Sequence, residues 1–325
     1  MAAGLLPHWA PDVKVLVTGG GGFIGSNLAR TLVQRGDEVR VLDNFSTGNR
    51  ANLAELASEV EVVEGELRSY ERVHAATRGV EVVFHQGALP SVPRSVQDPL
   101  TTGAVNVEGT LNVLLAARDG GVRRVVFASS SSVYGNSGDL PRVETANPDP
   151  ISPYGVSKLA AERYCVSFSR VYALETVALR YFNVFGPSQD PTSQYSAVIP
   201  RFVTTIADGR PVSIYGDGGQ QRDFTYVDNV IEANLLAAEA NDANGAVLNI
   251  ATGRATSVNQ LADVIGTLLD RPVEREQHPA RAGDVRDSWA DIARAGEVLG
   301  WEPRVSLEDG LRLAADAFLS RSGPD

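Results

Sequence analysis

The chain is poor in sulfur: its 325 residues include one cysteine, Cys165, and one methionine. A single cysteine excludes an internal disulfide and a cysteine metal cluster, and it points to a reducing, cytoplasmic setting. No metal site is expected. No apolar run is long enough to cross a bilayer, so no membrane role is expected either. The opening MAAGLLPHWAPD has neither a basic stretch nor a proper apolar core, and reads as a loose tail rather than a signal peptide. Positive charge is in deficit, with a formal net charge of -11, which argues against nucleic acid or an anionic lipid surface as partner. Lysine is nearly missing: of 29 basic residues, Lys14 and Lys158 alone are lysine. A lysine kept against such a bias points to a place that needs a compact ammonium, which arginine cannot mimic. Lys158 fits that description, whereas Lys14 at a strand start has no evident role.

What is present first is alternation. VKVLVTG reads as a buried strand, FIGSNLARTLVQRG as an amphipathic helix ended by Gly36, and EVRVLD as a second strand. VEVVEGEL, VEVVFHQGA, the helix NVEGTLNVLLAARDGG and the strand RRVVFASSSS continue the pattern. Apolar strands separated by such helices predict βαβ units and a doubly wound parallel sheet of Rossmann type, covered on both faces. After RYFNVFGP the texture shifts to Gly/Pro-rich loops and capped helices such as SVNQLADVIGTLLD and SLEDGLRLAADAFLSR. The expected organisation is a tail over 1–12, a nucleotide-binding domain over 13–180 that also receives 228–253, and a smaller, mostly helical lobe over 181–325.

Two motifs carry chemistry. Gly19, Gly22 and Gly25 fall in a G-x-x-G-x-x-G spacing between the first strand and its helix. Glycines there permit a tight turn, close approach of a pyrophosphate and close helix–sheet packing, with the phosphates at the helix N-terminus. Asp43 ends the next strand 18 residues after Gly25, where an acid accepts hydrogen bonds from an adenosine ribose and disfavours a 2'-phosphate. The cofactor expected is therefore NAD. The second motif is SPYGVSK, which stacks Tyr154 and Lys158 one helical turn apart. An ammonium near a phenol, helped by a bound pyridinium, would bring a poor base toward neutral pH. The serine run of FASSSSVYG follows an apolar strand at the carboxyl edge of the sheet, where a hydroxyl can relay a proton between substrate and Tyr154.

With VTGGGGFIGSNLA, VLDNFSTG, VFHQGALPSVPRS, SSSSVYG, SPYGVSK, RYFNVFGP, DGGQQRDFTYVDN and RAGDVRDSWAD in hand, the chain resembles the extended short-chain dehydrogenase/reductase family, and within it the UDP-sugar 4-epimerases. The resemblance implies an NAD that stays bound and is regenerated at each turnover. Tyr154, assisted by Ser130 and Lys158, would take the sugar O4 proton as hydride leaves C4, and the 4-keto sugar would rotate and take hydride back on its other face. Cofactor contacts implied are Gly19, Gly22, Phe23, Ile24, Gly25, Asp43, Asn44, Ser46, Thr47 and Gly48. Further along come Glu66, Leu67, Gln86, Ala88, Asn106, Tyr154, Lys158 and Tyr181. Substrate contacts implied are Ser91, Ser130, Ser131, Tyr154 and Asn183, then Val198, Ile199, Ile214 and Tyr215 beside the uracil, and Arg222, Arg281 and Asp284 at diphosphate and ribose, with Ser288 at the sugar.

Within that family, Ser131 and Ser132 stand where 4,6-dehydratases carry an Asp-Glu pair and where UDP-glucuronate decarboxylases carry a Glu, which disfavours dehydration. Ser288 stands where a bulky tyrosine often restricts members to glucose and galactose, so UDP-GlcNAc/UDP-GalNAc is the favoured pair, with UDP-Glc/UDP-Gal also expected. Asp190 stands where glucuronate epimerases tend to carry an arginine. Gly87 replaces a usual alanine, and Glu66 a usual aspartate. The alternatives are a UDP-glucuronate 4-epimerase, a net dehydrogenase or reductase that releases its cofactor, and a non-catalytic dinucleotide sensor. NVEGTLNVLLAAR and KLAAERYCVSFSRVY resemble the helix pair by which family members dimerise, so a homodimer is expected.

Overall fold

In the computed structural model, which describes residues 13–136, 139–189, 198–279 and 285–320, seven parallel strands form the central sheet. They are β1 (Lys14–Thr18), β2 (Glu38–Asp43), β3 (Val60–Glu64), β4 (Val82–His85), β5 (Arg124–Ser130), β6 (Glu175–Tyr181) and β7 (Ala246–Ile250). Their spatial order is β7-β6-β5-β4-β1-β2-β3, so the chain reverses direction across the sheet between β1 and β4.

The strands read as nearly unbroken apolar runs because both faces are buried. Successive residues serve opposite cores, as the period of two requires. Val15, Val17, Val126, Val177 and Leu179 join one core, in which α1 (Phe23–Arg35) contributes Leu28 and Leu32. Leu16, Val125, Phe127 and Ala178 join the other, under α2 (Tyr70–Thr77), α3 (Gly109–Asp119) and α4 (Pro153–Val171). Truncating one of the buried leucines among them to alanine costs about 2–5 kcal/mol. Gly36 ends α1 in the left-handed region at φ 92°.

The C-terminal lobe contains α5 (Val198–Ala207), α7 (Val258–Leu269), α8 (Ala293–Leu299) and α9 (Leu307–Ser320), while α6 (Val227–Glu239) packs with α1 on the sheet. The first turn of α9 is capped, with the Asp309 N–H on Ser306 Oγ at 3.1 Å. Ser257 and Gln260 make a full capping box at α7. The lobe also holds small ladders that the helix-rich reading leaves out. Val212–Tyr215 pairs parallel with Arg275–His278, and Gln221–Arg222 pairs antiparallel with Thr256–Ser257. Segments of two to four residues are too short to register as an alternating pattern.

Candidate functional site

The glycine loop leaves β1 and opens α1. Gly19 adopts φ +70°, and a Cβ there would lie 2.5 Å from Gly87 Cα. A Cβ on Gly25 would lie 2.2 Å from Gly19 O, so the first turn of α1 packs directly on the loop. Gly22 caps α1 without a side-chain hydrogen bond, and the first turn carries no acid. The first-turn N–H groups thus have no side-chain acceptor, which suits a phosphate at the positive end of the helix. The loop is held from below. Asp43 accepts the N–H groups of Gly21 and Phe45 at 2.8 and 2.7 Å, and Asn52 donates to Gly21 O at 2.9 Å. Each Asp43 oxygen keeps a lone pair, so the carboxylate can hold the loop and still accept from a ribose.

A cleft of about 670 Å³ runs along this sheet edge. Seventeen expected cofactor residues line it: Gly19, Gly22, Phe23, Ile24, Gly25, Asp43, Asn44, Ser46, Thr47, Gly48, Glu66, Leu67, Gln86, Ala88, Tyr154, Lys158 and Tyr181. The donor set fits NAD: a loop that only glycine can form, an uncapped helix start, and an acid one strand away. Asn106 is placed differently. It lies buried in a π-helical turn, Ala104–Glu108, bonding both Leu89 N–H and Leu89 O, and Ser157 Oγ at 3.0 Å. It therefore clamps the cleft-lining Leu89 to α4. Asn52, Arg68 and Ser188, which carried no signal in the sequence, also line the cleft, as does Ser129 of the serine run. Gly87 has a local reason, because a Cβ there would press on Leu67, Thr18 and Gly19 at 3.0 to 3.2 Å.

At the inner end of the cleft stand Tyr154 and Lys158. Ser152 caps α4 by accepting the Gly155 N–H at 3.1 Å, and Pro153 follows at the first helical position. The otherwise orphaned Tyr154 N–H donates to Ser95 Oγ at 3.0 Å. Ser130, the last residue of β5, hydrogen-bonds the Tyr154 phenol, while its own Oγ accepts the Ser132 N–H at 3.1 Å. Lys158 Nζ donates to Ala128 O at 2.9 Å and lies 5.0 Å from the Phe127 ring centre. Burial pushes Lys158 down to about 8. Burial also raises the phenol of Tyr154 above its usual value, and the Ser130 hydrogen bond offsets only part of that. Within the chain's own field, Tyr154 is a protonated phenol at neutral pH, and Lys158 is aimed at a carbonyl.

Behind these residues lie two networks. Tyr181 Oη lies at 3.2 Å from Gln86 Oε1 and is bonded to Asn234, which fixes a ring that faces the cleft. Glu162, one turn beyond Lys158, is fully buried and accepts both arms of Arg180 at 2.8 and 2.7 Å, plus the Ser129 hydroxyl at 2.8 Å. That bidentate pair ties α4 to β6, and the Ser129 bond ties it to β5.

The expected substrate residues are more dispersed. Ser91 (φ 109°) caps the short helix Val92–Gln97, and Ser131 begins a 3₁₀ turn after β5. Asn183 (φ 32°) donates to Asp223 O at 3.1 Å. Arg222 donates to the carbonyls of Val285 and Arg286 at 2.8 and 2.6 Å, and Ser288 bridges to Arg222 along the backbone. Val198 and Ile199 start α5; Ile199 and Ile214 are buried, and Tyr215 stacks on His278 with ring centres 5.2 Å apart. Of this set, Tyr154 alone lines the cleft described above. Arg281, Asp284 and Asp190 lie outside the described residues. The described residues contain no group of three or more His, Cys, Asp or Glu side chains that could hold a metal, and no helix long and apolar enough to cross a membrane.

A glycine loop, a tyrosine–lysine pair and a serine on one sheet edge define a dinucleotide-dependent enzyme acting on a hydroxyl or carbonyl carbon. The model of the NAD dependent epimerase/dehydratase family matches residues 15–251, and the chain belongs to that family. It is 39% identical over 319 residues to a UDP-glucose 4-epimerase of Mycolicibacterium smegmatis, covering 95% of this chain and 100% of the relative. It superposes on the UDP-glucose 4-epimerase of Thermotoga maritima, solved with UDP-glucose, with a TM-score of 0.90 and 40% identity, covering 95% of this chain and 99% of that one. The UDP-N-acetylglucosamine 4-epimerase of Methanobrevibacter ruminantium, solved with UDP-N-acetylmuramic acid, gives a TM-score of 0.91 at 38% identity, with the same two coverages.

Proposed function

We propose that the protein interconverts the C4 epimers of a UDP-sugar, with UDP-GlcNAc/UDP-GalNAc as the favoured pair and UDP-Glc/UDP-Gal also accepted. The observation that carries this reading is that Tyr154 and Lys158 line the same cleft as the glycine loop, with Ser130 hydrogen-bonded to the Tyr154 phenol. NAD, when bound, supplies the hydride acceptor and a positive ring charge. Tyr154 exchanges the proton of the sugar hydroxyl at its Oη, and Ser130 passes that proton between sugar and phenol. Because burial holds the phenol above its usual value, the cationic ring and the Lys158 ammonium together have to favour the phenolate. Residues 13–180, with 228–253, hold the cofactor, and residues 181–325 hold the UDP-sugar.

Asn183, Arg222, Arg281 and Asp284 serve as contacts for diphosphate and ribose in this reading, with Val198, Ile199, Ile214 and Tyr215 around the uracil. Ser91 and Ser131 lie toward the sugar. The small Ser288 leaves room for an N-acetyl group, and the likeness to a UDP-N-acetylglucosamine 4-epimerase supports that choice. A homodimer completes the reading: Val156 (52% exposed) and Tyr164 (39%) on α4, and Leu100 (85%) on a short helix that packs against it, leave apolar side chains in solvent. Leu100→Arg together with Val156→Arg is expected to give a monomer by light scattering.

The decisive test is proton NMR of the purified protein without added cofactor, incubated separately with UDP-GlcNAc, UDP-Glc and UDP-GlcA. The C4 epimer of UDP-GlcNAc should appear, and fastest in that tube. Conversion of UDP-GlcA alone would overturn the reading of Asp190 and Ser288. No conversion in any tube after NAD is supplied would overturn 4-epimerisation of these sugars.

A further inference from the structure

We propose that Asp223 is the positioning residue of the substrate arm: its buried carboxylate ties Asn183, Arg222 and Ser288 to the carboxyl edge of the central sheet and so, through Asn183 and Arg222, sets affinity for the UDP portion of the substrate. The proposal rests on the reading of those three residues given above.

Asp223 is fully buried. Its Oδ1 accepts the Thr252 N–H at 2.7 Å and the Thr252 hydroxyl at 2.6 Å. Its Oδ2 accepts the Gly253 N–H at 2.9 Å and the Ala290 N–H at 3.4 Å. Thr252 and Gly253 lie two and three residues past the end of β7, at the carboxyl edge of the sheet, whereas Ala290 lies two residues beyond Ser288. The main chain of Asp223 makes the other half of the junction: its carbonyl accepts from Asn183 Nδ2 at 3.1 Å, and its N–H donates to Ser288 O at 3.1 Å. Arg222 precedes it and bridges to Ser288. One residue therefore joins three separate chain segments, and each proposed contact hangs one or two bonds from it.

Filling a core does not call for a carboxyl. Burial raises the carboxyl of Asp223 above its usual pKa, and its four hydrogen bonds only partly oppose that. An apolar side chain would avoid this cost but would leave four donors unsatisfied. A carboxylate is the side chain that offers acceptors alone, on two oxygens. An amide of the same shape has one acceptor oxygen, and its NH₂ would face N–H groups on the other side.

The test measures UDP affinity by calorimetry on the intact protein, together with KM and kcat for UDP-GlcNAc and the NAD content of each variant. Asp223→Asn should weaken UDP binding and raise KM about tenfold or more, with kcat within about threefold and NAD content unchanged. Thr252→Val, which removes one donor at similar volume, should raise both about threefold. Arg222→Ala tests the underlying reading, because it should weaken UDP on its own. If Arg222→Ala weakens UDP while Asp223→Asn and Thr252→Val leave Kd and KM at the wild-type values, the positioning role is overturned and the arm stands. A fall in kcat at constant KM overturns it too. If wild-type protein binds no UDP, or none of the three variants moves Kd, the arm itself is misassigned and the proposal falls with it. Should Asp223→Asn fail to fold, Thr252→Val decides.

Discussion

The nucleotide half and the C-terminal lobe hold their working side chains in different ways. Around the glycine loop, support comes from neighbours on adjacent strands: Asp43 ends the strand beside β1, and Asn52 reaches up from the turn before β3. Seventeen expected residues face one cleft because a parallel sheet delivers all its carboxyl ends to one edge. In the lobe, the strands are two to four residues long, and position depends on single side-chain bonds between distant segments, such as Arg222 to Val285 and Arg286. A site built on long parallel strands is shaped by the fold itself, whereas an arm built on short ladders depends on individual contacts.

The largest test of that contrast lies at Tyr154. Tyr154→Phe should lower turnover by about 10²- to 10⁴-fold while circular dichroism and NAD content stay as in the wild type, since the proton is lost and the packing is kept. Near-full turnover would remove Tyr154 from the chemistry. Next is Gly19→Ala, where φ +70° and a Cβ 2.5 Å from Gly87 Cα leave no room. Strain alone costs about 1–3 kcal/mol, so the purified variant should carry little NAD and melt several degrees lower. An unchanged melt and NAD content would show that the loop is not rigidly set.

A smaller effect concerns His85, whose ring is closed between Thr18 at 2.7 Å and Thr110 at 3.0 Å. Burial, and then the charge of Lys158, push its pKa down to about 3 from an ordinary value near 6.5. Between those values the unfolded chain binds the extra proton, so this contribution to stability is complete above about pH 6.5 and is lost as pH falls toward 3. His85→Gln should flatten that acid limb in a denaturation series taken at successive pH values. An identical pH dependence in the variant would deny His85 the role. The smallest effect is expected on the lobe's surface, where Leu313 is 58% exposed. Leu313→Ser should alter stability by about 0.5 kcal/mol or less, and a larger drop in the denaturation midpoint would mean that α9 is covered in solution.

Much of the nucleotide half was legible because its signals are local. Gly25 can be read from spacing alone, since close packing of a helix on its own loop involves residues six apart. Tyr154 and Lys158 share a face because a helix repeats every 3.6 residues. Asn106 was legible as a residue and not as a function. Its partners Leu89 and Ser157 lie 17 and 51 residues away, and the π-helical turn that aims it has no sequence signature. Ser129 beside Glu162 was hidden for the same reason, the two being 33 residues apart. The field at Tyr154 also differs from the simple expectation. Lys158 is aimed at Ala128 O, and burial outweighs the hydrogen bond from Ser130.

By itself, then, the sequence determined a parallel sheet with a glycine-rich turn after its first strand and a tyrosine–lysine pair one helical turn apart. Each of these follows from backbone freedom or from a short period along the chain. Tertiary structure alone decided that Asn106 clamps the cleft wall, that Glu162 and Arg180 bind α4 to the sheet, and that Asp223 gathers three segments. Those roles depend on hydrogen bonds between residues far apart in the chain, and a buried polar group takes its meaning from the partners that folding brings to it.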